Sequence, residues 1–317
     1  MIEITKLTKR FGDLTAVDQL SISIGAGEIF GFIGPNGAGK STTMKILACL
    51  LKPDAGSATV DGMSVRAHGD AIRQRIGYMP DFIGYYDDLT VDEYLQFFAA
   101  AFRLPRRKRR ATIDGVLELT DLTDKRDAMV VSLSRGMSQR LGVARVLIHD
   151  PKVLLLDEPA SGLDPRARIE MRELLSELAR MGKTLMVSSH ILSELAEMCS
   201  SIGIIEKGRL VFAGSIDDAY ERVQGGERIL IRLESADDLA LLAPVVASRL
   251  AEDERVASAR PDDDHPEIIR VELVPGRHGH HFLIERVISA GGRIAAFEPR
   301  GVNLEDAFLR LTKGAVQ

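Results

Sequence analysis

The stretch FIGPNGAGKST, Phe32 to Thr42, decides the fold. Gly34 to Ser41 fits G-x-x-x-x-G-K-S, which has meaning only between a strand and a helix. Both flanks are present. Glu28–Ile33 is an apolar run that reads as a buried strand, and Lys40–Leu51 reads as a helix. Glycine lets a loop turn its backbone N–H groups toward phosphate without Cβ clashes, and a helix N-terminus favours an anion. The backbone of Pro35, Asn36, Gly37, Ala38 and Gly39 is therefore expected to cradle phosphates. Lys40 is expected to reach the β- and γ-phosphates. Ser41 and Thr42 offer hydroxyls, Ser41 for Mg²⁺ and Thr42 for phosphate.

A second element, VLLLDEP, places two acids behind a strand at Val153–Leu156. In open α/β sheets ligands bind at the C-terminal ends of strands. Asp157 is suited to hold Mg²⁺ through water, and Glu158 to act as general base on the attacking water. His190, in VSSHILSE, follows another apolar strand. A neutral imidazole there is placed to bond a γ-phosphate oxygen, or it simply starts a helix. LSRGMSQR, Leu133 to Arg140, has Ser134 and Gly136 at a helix entrance, a second phosphate-binding arrangement.

Around these motifs, strands are expected at Ile2–Leu7, Ile22–Ile24, Thr184–Ser188, Ile202–Glu206 and Arg209–Phe212. Helices are expected at Val91–Phe102, Lys108–Leu119, Gly136–Ile148, Arg166–Met181 and Ile191–Cys199. Strands alternating with helices predict a largely parallel sheet covered on both faces. A seam falls at VQGGE, Val223–Glu227, and the pattern restarts beyond it. Strand Ile229–Leu233, helix Asp238–Leu250, strands Val256–Arg260 and Ile268–Leu273, helix His280–Ala290 and strand Arg293–Phe297 follow. That βαββαβ order predicts a small α+β, ferredoxin-like domain. The expected domains are 1–222, with a helical subdomain at about 82–150, and 223–317.

A chain of 317 residues has room for two domains. A net charge of −5 speaks against a general nucleic-acid binder. Cys49 and Cys199 give neither a disulfide framework nor a metal spacing. The start, MIEITKLTKRFG, lacks a signal-peptide core. The apolar runs Leu239–Ala247 and Val153–Glu158 fall short of the ~18–20 residues that span a bilayer.

The order of the motifs resembles the ATP-binding subunit of an ABC transporter over about residues 1–215. The resemblance implies an α/β P-loop ATPase with a mixed sheet and a helical subdomain, using ATP and Mg²⁺. Phe11 stands where the family stacks an aromatic on adenine. Gly34–Thr42 matches Walker A, and Asp157 with Glu158 matches Walker B. Ser161–Asp164, SGLD, matches the D-loop and brings Asp164 into the nucleotide site. His190 matches the switch histidine. Leu133–Met137 matches the signature LSGGQ, with Arg135 and Met137 departing from it. In the family two subunits pack head to tail, and the signature of one caps the γ-phosphate held by the other. The resemblance therefore implies a second ATP-binding subunit, a homodimer or a heterodimer, and the acidic charge balance implies no nucleic acid.

Two departures stand out. Pro80 is followed by Asp81 where the family usually has Gln. A carboxylate meets Mg²⁺ through water but, when ionised, donates no hydrogen bond. Asp81 is thus either a metal-site residue or a turn-forming acid after proline. Arg135 either adds a cation near the phosphate or projects to solvent. The basic run RLPRRKRR, Arg103 to Arg110, reads as a solvated helix start, on a section that faces the membrane subunit in the family. The tail RGVNLEDAFLRLTKG resembles subunits that serve ABC-2 type permeases, commonly exporters. Its Leu304, Ala307, Phe308 and Leu311 share one helical face. The implied protein is an ATPase peripheral on the cytoplasmic face of the membrane, driving a separate permease. Competing classes are a soluble ABC ATPase acting on nucleic acid or ribosomes, and a non-catalytic regulatory module.

Overall fold

The structure is a computed structural model that describes residues 1–86, 88–216, 218–219, 228–234, 239–262, 264–274 and 279–300. It divides into two compact units, Met1–Ile216 and Asp217–Gln317.

The first unit contains two sheets. One is antiparallel, in the order β2-β1-β4-β5, from β1 (Ile2–Phe11), β2 (Leu14–Ile24), β4 (Ala55–Val60) and β5 (Met63–Ser64). The other has six strands in the order β10-β9-β3-β8-β7-β6. They are β3 (Ile29–Ile33), β6 (Ile76–Met79), β7 (Val153–Asp157), β8 (Thr184–Ser189), β9 (Ser201–Glu206) and β10 (Arg209–Ser215). All neighbours are parallel except β10, a hairpin partner of β9. The expected largely parallel sheet is present in these six strands, and the antiparallel strands form a second sheet that was not foreseen. Strands β3, β7 and β8 are buried along their whole length, which is why their central residues read as apolar runs. Strand β1 instead alternates, with Ile2 and Ile4 inward and Glu3 and Thr5 outward. Helix α1 (Lys40–Leu47) packs Met44, Ile46 and Leu47 into one core with Ile2, Phe30, Phe32 and Leu155. It ends four residues before the expected Leu51, because Cys49 turns to φ +57°.

Helices α3 (Val91–Ala101), α4 (Arg106–Leu119) and α5 (Arg135–Leu147) pack together, and a short α2 (Gly69–Arg73) precedes β6. Thr90 and Glu93 form a reciprocal capping box that starts α3. The cations Arg106, Arg107, Lys108 and Arg110 are exposed on the first turns of α4. Helices α6 (Pro165–Arg180) and α7 (Leu192–Ala196) flank β8 in sequence.

In the second unit β11 (Arg228–Leu233), β12 (Val256–Pro261), β13 (Ile268–Leu273) and β14 (Ile294–Arg300) form an antiparallel sheet in the order β12-β13-β11-β14. Helices α8 (Leu239–Ala251) and α9 (His281–Ser289) complete it. Ile229, Ile231, Ile269 and Val271 share a core with Val246, Leu250, Leu283 and Val287. Arg228, Arg232 and Arg270 alternate outward, as expected of an antiparallel sheet covered on one side. The expected seam at 223–227 and terminal helix at 304–311 lie outside the described residues.

Candidate nucleotide site

Strand register brings the site together. Ile33 at the end of β3 is level with Ser189 of β8, and Ser188 is level with Asp157 of β7. The loop from Gly34, the Asp157–Glu158 pair and His190 therefore leave the sheet at one edge. Gly34 N–H donates to the Ser189 carbonyl at 3.3 Å, tying the loop to that edge. Gly39 caps α1 at φ +109°, and a Cβ there would lie 2.4 Å from the Ala16 carbonyl. Only glycine fits, for backbone and space alike.

Lys40 is 5% exposed, and its Nζ donates to the Gly34 carbonyl at 2.6 Å and the Pro35 carbonyl at 3.3 Å. It also lies 3.2 Å from Glu158 Oε1, an ion pair without hydrogen-bond geometry. Glu158 Oε2 in turn is 2.8 Å from His190 Nδ1. One carboxylate thus bridges the loop lysine and the histidine. Glu158 adopts φ +53°, a left-handed conformation that non-glycine residues rarely take and that active sites retain.

Ser188, which the sequence reading did not single out, organises the acid pair. Its hydroxyl donates to Asp157 Oδ1 at 2.6 Å and accepts from Glu158 N–H at 2.9 Å. It is fully buried, and Asp157 is 2% exposed. The only trace in sequence is a serine doublet where the strand's apolar run stops. Next to it, Ser189 Oγ donates to Glu194 and accepts from Ile191 N–H, shaping the turn that carries His190.

Burial raises the Asp81 carboxyl above the usual range, although the residue as a whole is exposed. The charges of Asp157 and Glu158 raise it further, while Arg135 and Lys40 pull it back. Burial, then Asp157 and Asp81, likewise push the Tyr78 phenol up, and its hydroxyl is buried without a partner. Oxygen donors from Asp157, Asp81 and Ser41 suit a hard cation such as Mg²⁺. Among the described residues no cluster of three or more His, Cys, Asp or Glu side chains encloses a metal ion.

Ser134 caps α5, accepting from Met137 N–H at 3.3 Å. Asp164 caps α6, accepting from Ala167 N–H at 2.9 Å. Gly136 meets α6 closely, since a Cβ there would sit 3.0 Å from Ala167 Cβ. Arg135 is solvent-exposed and is also bonded to its own chain. Its Nε donates to the Ser161 carbonyl of its own chain at 3.1 Å. The loop between β6 and α3 is tied to the same helix, because Tyr85 Oη donates to the Ser138 carbonyl at 2.6 Å. Phe11 ends β1 and is 46% exposed, with Lys9 Nζ 5.3 Å from its ring centre.

The family profile described as ABC transporter matches residues 17–161. A curated relative named Nod factor export ATP-binding protein I, from Ralstonia nicotianae, is 35% identical over 98% of this chain and 94% of its own length. Proteins of the same name from Burkholderia pseudomallei and Rhizobium meliloti are 38% and 36% identical over 98% of this chain. They are covered over 96% and 88% of their lengths. A solved ATP-binding subunit of an ABC transporter superposes with a TM-score of 0.63 at 27% identity, covering 70% of this chain and 92% of that one. A dimeric ATP-binding cassette in a post-hydrolysis state, bound to ADP and Pi, gives 0.62 at 25% identity over 68% and 99%. A phosphate loop, an acid pair and a histidine gathered at one sheet edge, with full-length relatives of this kind, establish that the chain belongs to the family of ABC transporter ATP-binding subunits and is an ATPase.

Proposed function

We propose that two copies of this chain, or this chain and a similar subunit, bind MgATP between them and drive a separate ABC-2 type permease for export. The observation that carries the chemistry is Glu158 held between Lys40 and His190. Glu158 accepts a proton from the attacking water. Lys40 and the Gly34–Thr42 backbone hold the β- and γ-phosphates, and His190 bonds a γ-phosphate oxygen. Ser41, Asp157 and Asp81 would hold Mg²⁺, which when bound neutralises developing phosphate charge. Phe11 stacks on adenine. Ser134, Arg135, Gly136 and Asp164 contribute to the site of the opposite protomer.

No described helix is long and apolar enough to cross a membrane, so a transport role calls for another chain. The export reading draws on the printed names of the relatives. Phe82, Tyr86 and Phe97 are exposed beside Asp81 and the α3 helix, an aromatic surface suited to a permease at the cytoplasmic membrane face. The strand order of the second unit supports a ferredoxin-like accessory domain.

The test is gentle solubilisation of native membranes followed by affinity capture of the tagged chain. Recovery of a polytopic membrane protein in near-equal amount is expected. Recovery only in the soluble fraction, or with ribosomes or DNA, would overturn the transport reading.

A further inference from the structure

The two residues that depart from the family's signature and glutamine positions are not isolated from each other or from the catalytic acid. Arg135 is the first residue of α5, and Ser161 belongs to the turn that follows Glu158. Besides its hydrogen bond to the Ser161 carbonyl, the guanidinium lies across Gly162. A Cβ on Gly162 would fall 2.3 Å from Arg135 Cζ, 2.5 Å from Nη2 and 2.7 Å from Nη1. Gly162 also sits at φ +67°. Glycine is favoured there by its backbone, and a side chain at this position would displace the flat cation above it.

The turn leads straight back to the site. Ser161 N–H donates to the Glu158 carbonyl at 3.1 Å, and Leu163 N–H to the Ala160 carbonyl at 3.3 Å. The backbone of this turn is thus a partner of the Arg135 guanidinium. A glycine at position 135 would supply no such bond.

We propose that Arg135 is a positioning residue that clasps the Ser161–Gly162 turn of its own chain and thereby holds Glu158 in place for hydrolysis. The signature segment then acts on the catalytic acid of its own chain as well as on the partner's phosphate. This rests on the ATPase reading above.

A double-mutant cycle tests it. Gly162→Ala pushes the guanidinium off the turn while leaving its charge at the signature. Arg135→Gly removes both. The expected result is a fall in kcat of about tenfold for each single variant, the scale of a lost charge-assisted hydrogen bond, with the KM for ATP little changed. The double variant should be slower than Arg135→Gly alone only by the backbone cost of alanine at residue 162, because the clasp is already gone. The strain of alanine at a positive φ would add a small common cost in both backgrounds. Amide exchange over residues 159–163 should speed up in both single variants while global unfolding stays put, which separates positioning from loss of fold.

Strictly multiplicative losses, or unchanged exchange in the turn, would overturn the clasp and leave Arg135 a ligand of phosphate only. Lys40→Ala is run alongside. Normal hydrolysis in that variant would sink the ATPase assignment of the site itself, a failure distinct from that of the clasp.

Discussion

Glu158 Oε1 lies 3.2 Å from Lys40 Nζ, with both side chains more than nine-tenths buried. The lysine is folded back onto the loop that is expected to hold phosphate. Nucleotide entry must therefore exchange a carboxylate partner for phosphate oxygens, which frees Glu158 toward water. Glu158→Gln keeps the shape but removes both the ion pair and the base. Steady-state ATPase should fall by about a hundredfold or more. A dimer containing ATP should accumulate on size exclusion. Wild-type turnover in that variant would remove Glu158 from the role of base.

Ser188 serves Asp157 and Glu158 with one hydroxyl. Ser188→Ala leaves a buried N–H and a buried carboxylate oxygen short of a partner, at a cost of about 1–3 kcal/mol. A higher Mg²⁺ concentration for half-maximal activity should accompany the loss of stability. Ser188→Thr should restore both, as it retains the hydroxyl in a strand that tolerates β-branching. Identical Mg²⁺ titrations for wild type and Ser188→Ala would refute the role.

Asp81 has its carboxyl raised by burial and by Asp157 and Glu158. An acid raised on folding binds its proton more tightly in the folded state. Below the ordinary carboxylate range the group is protonated in both states and is neutral to stability. As pH climbs from that range through the raised folded value, ionisation destabilises the fold, and the deficit persists at neutral pH. Asp81→Asn should therefore raise Tm at pH 7 and lose this advantage below about pH 4, near the ordinary carboxylate values. Equal Tm values across that window would show that the repulsion is negligible.

Burial, with a smaller contribution from Glu28, pushes the Cys199 thiol up to about 12. The thiol lies against Gly31 in the sheet core, so neither thiolate nor reagent access is available. Alkylation at pH 8 should modify Cys199 only at the rate of local or global unfolding, while Cys49, half-buried, reacts ahead of it. Equal rates at the two positions would contradict this burial.

The phosphate loop, the acid pair and their flanking strands were legible because they are local. A Gly-rich loop between an apolar run and a helix needs no distant partner to be read, and β3, β7 and β8 announce themselves as buried on both faces. Strand Ala55–Val60, with its glycine and serine, carries no such signal. It exists because β1 supplies its ladder. The same limit hid the division into two sheets, since alternation in β1 and β2 does not say which strands they join.

Sequence by itself determined which side chains this protein brings to phosphate chemistry: Lys40, Asp157, Glu158 and His190, each within a short motif. Only tertiary structure decided how they meet. Parallel register levels Ser188 with Asp157, although they are far apart in the chain, and turns an unremarked serine into the brace of the acid pair. Packing of α5 beside the turn after Glu158 decided that the exposed Arg135 side chain reaches the Ser161 carbonyl. Hydrogen bonds between remote segments depend on distances that no run of residues encodes until the sheet edge and the helix are in place.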